Sequence, residues 1–542
     1  MSLDEDSGDS GQISPERAYL RASSKAHRRR FAQVLTPPEC AAAMADWVCD
    51  GNPKTILDPA FGTGILTRSV AARLPGVAVT GYEIDPQIAA AGRAACTRMN
   101  LTLHEASFFE APPEARFDAI IANPPFLRPG AGTALRAQVR ATAARFGIAL
   151  SGLTNAYVLF LFEALARLSP GGRAAFLLPA EWANSNTSGP LKDHLVRNGY
   201  LKEIIQFCAY RPVFEKTLTT ASLVLLEAPS CPEPVPAKIR ATFVPADARL
   251  PSPSSAIPPG VTQRWLTPEA LLAAPKWDEL IRDDETPIPP GFVPLSALAT
   301  TRRGIATGAN GFFHLTRERV ADFGLRAGQC LPCVAKSADV PSLIFGASEF
   351  KSLMKAGRPT QFFAPTQPLT EAEAAYVVRG ETEGLHNRFL TRNRTPWYAP
   401  ERLYRAPIWA ATFGRGQMRF ILNLAEVWQL TAFHGIFPLQ DDPARAKALV
   451  ACLNSAPVQA LMRGRMRIYA RGLQKVEPRD LLEIPVPDLR AVCAARIAEL
   501  GQALKALNDG KSGAEEALTR LVMASAQDAA SGGASDETVA LG

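Results

Sequence analysis

The sequence predicts an α/β fold in which a parallel-dominated sheet carries helices on both faces, and three observations support that expectation. Short apolar runs alternate with helical stretches from Thr55 to Glu227. The run Thr55-Ile56-Leu57 leads into Asp58-Pro59-Ala60-Phe61-Gly62-Thr63-Gly64 and then a helical stretch from Ile65 to Arg73, giving a strand, a glycine turn and a helix in succession. A second strand, Val77 to Glu83, ends in a carboxylate 21 positions after Gly62, close to the ~20-residue spacing of a ribose-binding acid in dinucleotide sites.

Each element has its reason. Gly62 and Gly64 let the backbone approach a ligand closely at the carboxyl end of a parallel strand, and Glu83 is the expected ribose ligand. A nicotinamide cofactor would fit the turn and the acid equally well. The strand Phe117 to Ala122 runs into Asn123-Pro124-Pro125-Phe126. Beyond it come an apolar helix, Ala156 to Leu168, the breaker Gly171-Gly172, and the strand Arg173 to Leu178. A helix around Leu191 to Val196 precedes Ile204 to Phe207, and Ser222 to Leu226 is expected to close the sheet.

The Asn-Pro-Pro-Phe stretch has chemistry that a nicotinamide enzyme would leave unemployed. Two prolines fix φ twice and remove two donors, so the loop offers acceptors in a nearly rigid frame. The amide oxygen of Asn123 and the carbonyl of Pro124 can both accept from one planar NH2 group, while Phe126 stacks on its ring. Two acceptors favour the pyramidal, reactive geometry of an amine whose lone pair is otherwise delocalised, which is catalysis by orientation and electrostatics.

From about residue 31 to residue 227, the motif order resembles the gamma-class, TaqI-like adenine-N6 DNA methyltransferases of type II restriction-modification systems. The resemblance implies a Rossmann-like class I methyltransferase domain using S-adenosyl-L-methionine, with no metal. It rests on Gln33 to Glu39, in which Thr36 would contact the cofactor's methionine carboxylate. It rests further on Asp58 to Gly64, with Asp58, Ala60, Gly62 and Gly64 as cofactor-loop residues, and on Glu83-Ile84-Asp85. Ser107-Phe108 stands where the family has Asp-Phe, so Phe108 would pack on the cofactor adenine and the Ser107 hydroxyl would replace the acid. Pro212 to Lys216 matches the motif whose aromatic, Phe214, would sandwich the flipped base opposite Phe126. From the residues alone, Thr36 could also cap the helix that follows it, and Asp85 before Pro86 reads as a helix cap.

At 542 residues the chain exceeds one typical core, so several domains are expected. These are a flexible tail over 1–30, with a basic cluster Lys25 to Arg30, a catalytic domain over 31–228, an α+β target-recognition domain over 229–490, and a helical segment and tail over 491–542. The proline-rich stretch Ala228 to Gly260 marks the main boundary, and Ala494 to Ser525 reads as helical. The net charge of +7 suits a polyanionic partner. No apolar run reaches the ~18 residues of a membrane span, and Met1 to Ser24 is unlike a secretory signal, so a cytoplasmic protein with reduced thiols is expected.

The second half carries basic and aromatic clusters suited to phosphates and guanine edges, with Arg303, Asn310, Arg394, Arg467 and Arg471 as candidate DNA contacts. It resembles the target-recognition regions of the same family in Arg303 to Asn310 and Arg467 to Pro487. The resemblance implies double-stranded DNA as partner, base flipping, a monomer, and a companion restriction endonuclease without a stable complex. An RNA or protein-glutamine N-methyltransferase, or a DNA-binding relative without catalysis, are the competing readings.

Overall fold

A computed structural model describes residues 13–130, 133–208, 220–230, 238–251, 257–282, 287–401, 403–463, 467–469 and 473–536. The chain divides into two compact units, 1–284 with 469–471, and 285–468 with 472–542.

The first unit opens with two short helices, α1 (Pro15–Ala22) and α2 (Lys25–Arg30), followed by α3 (Pro38–Cys49). The alternating core then runs β1 (Thr55–Asp58), α4 (Ile65–Ala71), β2 (Ala78–Tyr82), α5 (Pro86–Ala95), β3 (Leu101–His104), β4 (Phe117–Ala122), α6 (Ala134–Phe146) and α7 (Ala156–Leu165). It continues with β5 (Leu168–Pro179), α8 (Gly189–Arg197), β6 (Leu201–Phe207), β7 (Ala221–Glu227), β8 (Ile239–Val244) and β9 (Thr262–Leu266). These nine strands form one sheet in the order β3-β2-β1-β4-β5-β7-β6-β8-β9.

Strand periodicity sorts the core. Leu57 and Ile120 point to one face with Phe108, Phe160 and Trp182, whereas Ile56 and Ile121 point to the other with Met44, Leu66 and Phe207. The four strands that matter for the site, β3, β2, β1 and β4, are mutually parallel. Because β1 lies between β2 and β4, the strand order reverses there, and the crevice at the carboxyl ends is where such sheets bind ligands.

Three expectations change. Residues 15–30 are not a flexible tail: Tyr19 is buried, and both helices are capped by serines, Ser14 and Ser24, whose side chains accept backbone N–H groups. The strand Ala221–Glu227 does not close the sheet. It runs antiparallel between β5 and β6, and β8 and β9 continue beyond them, so the proline-rich stretch after Ala228 lies within the first unit and the boundary falls near 284 rather than 228. The prolines there punctuate connections between strands, not domains.

The second unit is α+β. A five-stranded sheet (299–303, 433–438, 408–411, 420–423 and 344–345, in that order) and a four-stranded one (314–315, 361–363, 330–334 and 428–429) carry most of its strands. Helices Pro443–Leu453 and Ala494–Asn508 share one apolar core, with Leu449, Leu453, Leu500 and Leu504 fully buried or nearly so. The C-terminal helical stretch is two helices, Ala494–Asn508 and Ala514–Asp536, because Gly510 and Gly513 take positive φ and break it. Among the described residues no helix is long and apolar enough to cross a membrane, and the eight described cysteines are all free.

Gly92 on α5 fixes how the glycine turn sits. A Cβ there would lie 2.6 Å from the Gly62 carbonyl oxygen and 2.6 Å from the Phe61 ring. Gly92→Ala is therefore expected to destabilise the first unit by ~1–3 kcal/mol in urea melts, as overpacking against backbone does. Gly152→Ala, with nothing within 4 Å of the added methyl, should leave the midpoint unchanged.

Candidate active site

A cavity of about 380 Å³ opens at the carboxyl ends of β3, β2, β1 and β4. Each strand delivers one wall. The turn after β1 contributes Ala60, Phe61, Gly62 and Thr63; β2 contributes Tyr82, Glu83 and Ile84; Ser107 and Phe108 follow β3; and Asn123, Pro124 and Pro125 follow β4.

Asn123 is held by its nitrogen. The amide Nδ2 donates to the Val34 carbonyl at 2.9 Å and to Thr36 Oγ1 at 3.0 Å. A carbonyl cannot donate, so the amide can face Val34 only with its nitrogen, and its orientation is chemically fixed. The amide oxygen Oδ1 is then buried with no hydrogen-bond partner among the described residues, in a residue that lines the cavity. A buried acceptor with no partner costs free energy in the folded chain, and a ligand donor would offset it. The loop is also tied from below, where the Ala156 N–H at the start of α7 donates to the Leu127 carbonyl at 2.8 Å.

Thr36 does not cap α3, since Pro37 is the N-cap and brings no side-chain bond. Its hydroxyl serves Asn123 instead, and Thr36 itself lines the cavity. Phe126 is half-buried and packs against the cores on both faces of the sheet, while Pro124, Pro125 and Leu127 line the cavity. Phe214 lies outside the described residues.

On the opposite wall, Gly62 takes φ +57° and its N–H donates to Glu83 Oε2 at 2.9 Å, while the Asp85 N–H donates to Glu83 Oε1 at 2.9 Å. Burial pushes the Glu83 carboxyl above its ordinary value, against the pull of the Asp85 and Gly62 N–H groups. Each carboxylate oxygen keeps a lone pair for a hydroxyl. Phe108 is almost fully buried, with its ring centroid 5.5 Å from that of Phe160 and the Arg167 guanidinium 5.3 Å from it, so it presents a braced apolar surface to the cavity. Asp58 and Gly64 shape the turn without lining the cavity. Gly64 takes φ +75°, and a Cβ on it would lie 2.7 Å from Cys96 Sγ.

Sequence reasoning missed the N-terminal wall. Arg30, Phe31, Ala32 and Gln33 line the cavity, and their anchor is Asp85, which is more than the cap it reads as. Its Oδ1 accepts from the Gln87 N–H at 3.1 Å, while Oδ2 meets His27 Nε2 at 2.8 Å, Gln33 Nε2 at 2.6 Å and Tyr19 Oη at 3.3 Å. Burial opposes ionisation of Asp85, but the bonds from His27, Gln33 and the Gln87 N–H outweigh it and hold the carboxyl below its ordinary value. Glu16 adds a second tie, accepting from Thr63 Oγ1 at 2.8 Å and pairing with Arg68. The signal is present in the sequence as Tyr19, His27 and Gln33 in a stretch rich in Ser and Arg, but no periodicity marks which of them turn inward.

Of the candidate DNA contacts in the second unit, Arg303 is exposed, 3.4 Å from Glu401. Asn310 is exposed and its side chain bonds Thr307. Arg394 is mostly buried and donates to the carbonyls of Ala306 and Thr307, so it braces that loop from inside. The side chain of Arg467 and the whole of Arg471 lie outside the described residues.

Asp58 supplies a pH prediction. It is fully buried, its Oδ1 has no hydrogen-bond partner, and burial raises its pKa from 3.8 to about 7. A carboxyl raised in the fold is neutral at no cost below its ordinary value, so the penalty develops as pH rises from about 4 to about 7 and stays constant above. Asp58→Asn should gain stability relative to the parent across that window, read as a widening gap between urea midpoints at pH 5 and pH 8.

Comparison with known proteins agrees with this geometry. Residues 85–214 match the family described as Eco57I restriction-modification methylase, and residues 287–520 match the type II methyltransferase M.Eco57I C-terminal domain. The chain is 29% identical over 476 residues to type II methyltransferase M.AccI of Acinetobacter calcoaceticus, covering 86% of this chain and 87% of that protein. It is 25% identical over 476 residues to M.XamI of Xanthomonas campestris pv. amaranthicola, covering 85% and 86%. Among solved structures, the cryo-electron microscopy structure of the DrdV–DNA complex matches with a TM-score of 0.50 at 13% identity, over 91% of this chain and 59% of that one. With one matched model in each unit and two type II methyltransferases similar over most of their length, the chain carries Eco57I-type restriction-modification methylase domains.

Proposed function

We propose that this methylase transfers a methyl group from S-adenosyl-L-methionine to N6 of an adenine rotated out of duplex DNA, as the modification enzyme of a restriction-modification system. The observation that carries this reading is the fixed amide of Asn123, whose oxygen is a partnerless acceptor in the cavity wall.

The cavity fits the cofactor class. A Cβ added to Gly62, which takes φ +57°, would meet no atom closer than 3.9 Å, so there is room for a ligand against the turn, and the Glu83 carboxylate beside it offers acceptors for a ribose diol. Phe108 would pack on the adenine of the cofactor and Ser107 would accept its amino group. Asp58, Ala60 and Gly64 would hold the turn in shape. When bound, S-adenosyl-L-methionine supplies an electrophilic methyl group.

The chain's own residues do the rest. Asn123 Oδ1 and the Pro124 carbonyl would accept the two N6 hydrogens, turning the lone pair out of the ring plane and toward the cavity. Because Thr36 and Val34 already hold the amide, no reorganisation is needed when the base arrives. Pro124, Pro125 and Leu127 would bound one face of the base, and Phe214 is proposed for the other, with Phe126 supporting the loop from the core. Arg303 and Asn310 remain candidate contacts to DNA, as do Arg467 and Arg471. A monomer acting beside a companion endonuclease, without a stable complex, completes the reading.

Asn123→Ala should retain S-adenosylhomocysteine binding by calorimetry within a few-fold and lose transfer of radiolabelled methyl to unmodified duplex DNA by ~10²–10³-fold, the scale of removing one preorganised polar partner. Undiminished turnover would sink the assignment. Label recovered after digestion as anything other than N6-methyl-2′-deoxyadenosine would refute the adenine reading. Thr36→Val should lower kcat about tenfold, roughly the worth of one hydrogen bond, while Thr36→Ser restores it; equal activity in all three proteins would show that the hydroxyl does not orient Asn123.

A further inference from the structure

We propose that the outward face of α1 and α2 is a docking surface for the phosphodiester backbone of the substrate DNA beside the mouth of the cavity. The inference rests on the reading above that the substrate is duplex DNA. Between Pro15 and Arg30 the sequence carries six Lys and Arg residues and one carboxylate, a net +5 within a chain of net +7. Asp4, Glu5, Asp6 and Asp9 precede this stretch and bring residues 1–30 to a net +1, so the positive charge is local to the two short helices.

The structure sorts those residues by face. Glu16, Tyr19 and His27 turn inward to Thr63, Arg68 and Asp85, and Arg28 bonds the Leu20 and Ser23 carbonyls, welding the two helices together. Arg17, Arg21, Lys25, Arg29 and Arg30 are all exposed. None of these five makes an ion pair among the described residues. Arg17 and Arg21 stand four apart on α1, and Lys25 and Arg29 four apart on α2, the spacing at which like charges repel on a helix. Among the described residues no carboxylate offsets that repulsion, and a polyanion laid along the helices would.

Place and rigidity complete the argument. Arg30 lines the cavity, its guanidinium 5.4 Å from the Phe31 ring centroid, so the basic face continues to the cavity itself. The Asp85 and Glu16 ties fix both helices to the cofactor side of the sheet, which presents the cations without first ordering a loose tail. Phosphate contacts position a protein on DNA without reading its sequence, and a basic face beside the reacting base suits that role.

The test uses the full chain with Arg17→Gln, Arg21→Gln, Lys25→Gln and Arg29→Gln combined, leaving the inward face intact. A short fluorescein-labelled unmodified duplex is titrated over a sodium chloride series by anisotropy, with S-adenosylhomocysteine calorimetry and methyl-label transfer alongside. The expected result is a log affinity against log salt slope shallower by ~2–4, since each lost phosphate contact removes ~0.9, together with at least tenfold weaker binding at low salt and unchanged S-adenosylhomocysteine affinity. An unchanged slope in a variant that binds S-adenosylhomocysteine normally overturns the inference. So does a loss of S-adenosylhomocysteine affinity with the slope intact, which would make the segment a cofactor clamp alone. If the parent labels DNA and the variant matches it in every assay, only this inference fails; if the parent neither labels DNA nor binds it in a salt-dependent way, the DNA reading fails with it.

Discussion

The site depends on one constraint, the double donation from Asn123 Nδ2 to Val34 and Thr36. The two ends of that contact lie 89 and 87 positions apart in sequence, and it brings the segment before α3 against the loop after β4. Without it the amide could rotate, and its oxygen would be one acceptor among several orientations. With it, the carboxamide becomes a fixed dipole whose negative end is a buried, partnerless acceptor in a residue that lines the cavity. The two prolines that follow remove backbone freedom from the same loop, so side chain and main chain are rigid together.

The N-terminal helices extend that logic to the other wall. Asp85 sits between the two: its backbone N–H serves Glu83, and its side chain holds Tyr19, His27 and Gln33. One residue therefore joins the carboxylate of the glycine-turn wall to the segment that covers it. Gln33 lies three positions before Thr36, so the covering segment and the segment that fixes Asn123 are continuous. Residues 30–36 supply one wall of the cavity, and the stretch 14–36 that carries them is pinned at one end to the β2 side and at the other to the β4 side.

Much of this is legible in the sequence because the elements that build the crevice are local. A strand, a glycine turn and a helix fall within Thr55 to Ala71, and the Asn-Pro-Pro-Phe loop follows its strand without interruption. Alternation of apolar residues is enough to place β1, β2, β4 and β5 and to foresee helices on both faces. The parts that escape depend on long-range choices. Whether β7 lies at an edge or between β5 and β6 is decided by hydrogen bonding between segments whose own patterns are the same apolar run. The domain boundary is displaced for that reason, since prolines interrupt connections inside a sheet as readily as between domains. The N-terminal segment reads as a flexible tail from its Ser, Gly and Asp content, and composition does not show that Tyr19, His27 and Glu16 share an inward face. In the second unit, Arg394 shows the complementary limit, because an arginine in a basic cluster can be consumed by carbonyls of its own fold.

The same constraint explains why the loop carries an amide and not an acid, although a carboxylate would be the stronger acceptor. The Val34 carbonyl oxygen sits 2.9 Å from the Asn123 nitrogen. A carboxylate there would set two acceptors against each other at that separation, in a half-buried place where such a clash is costly. It would rotate away or take up a proton, and either change spoils the fixed acceptor. The amide alone has a donor half to spend on the scaffold and an acceptor half to keep for a ligand. A neutral acceptor suits the proposed transfer, which would work by orientation rather than base strength. The identity of residue 123 is thus set from two sides, by what the segment before α3 needs to receive and by what the cavity needs to offer.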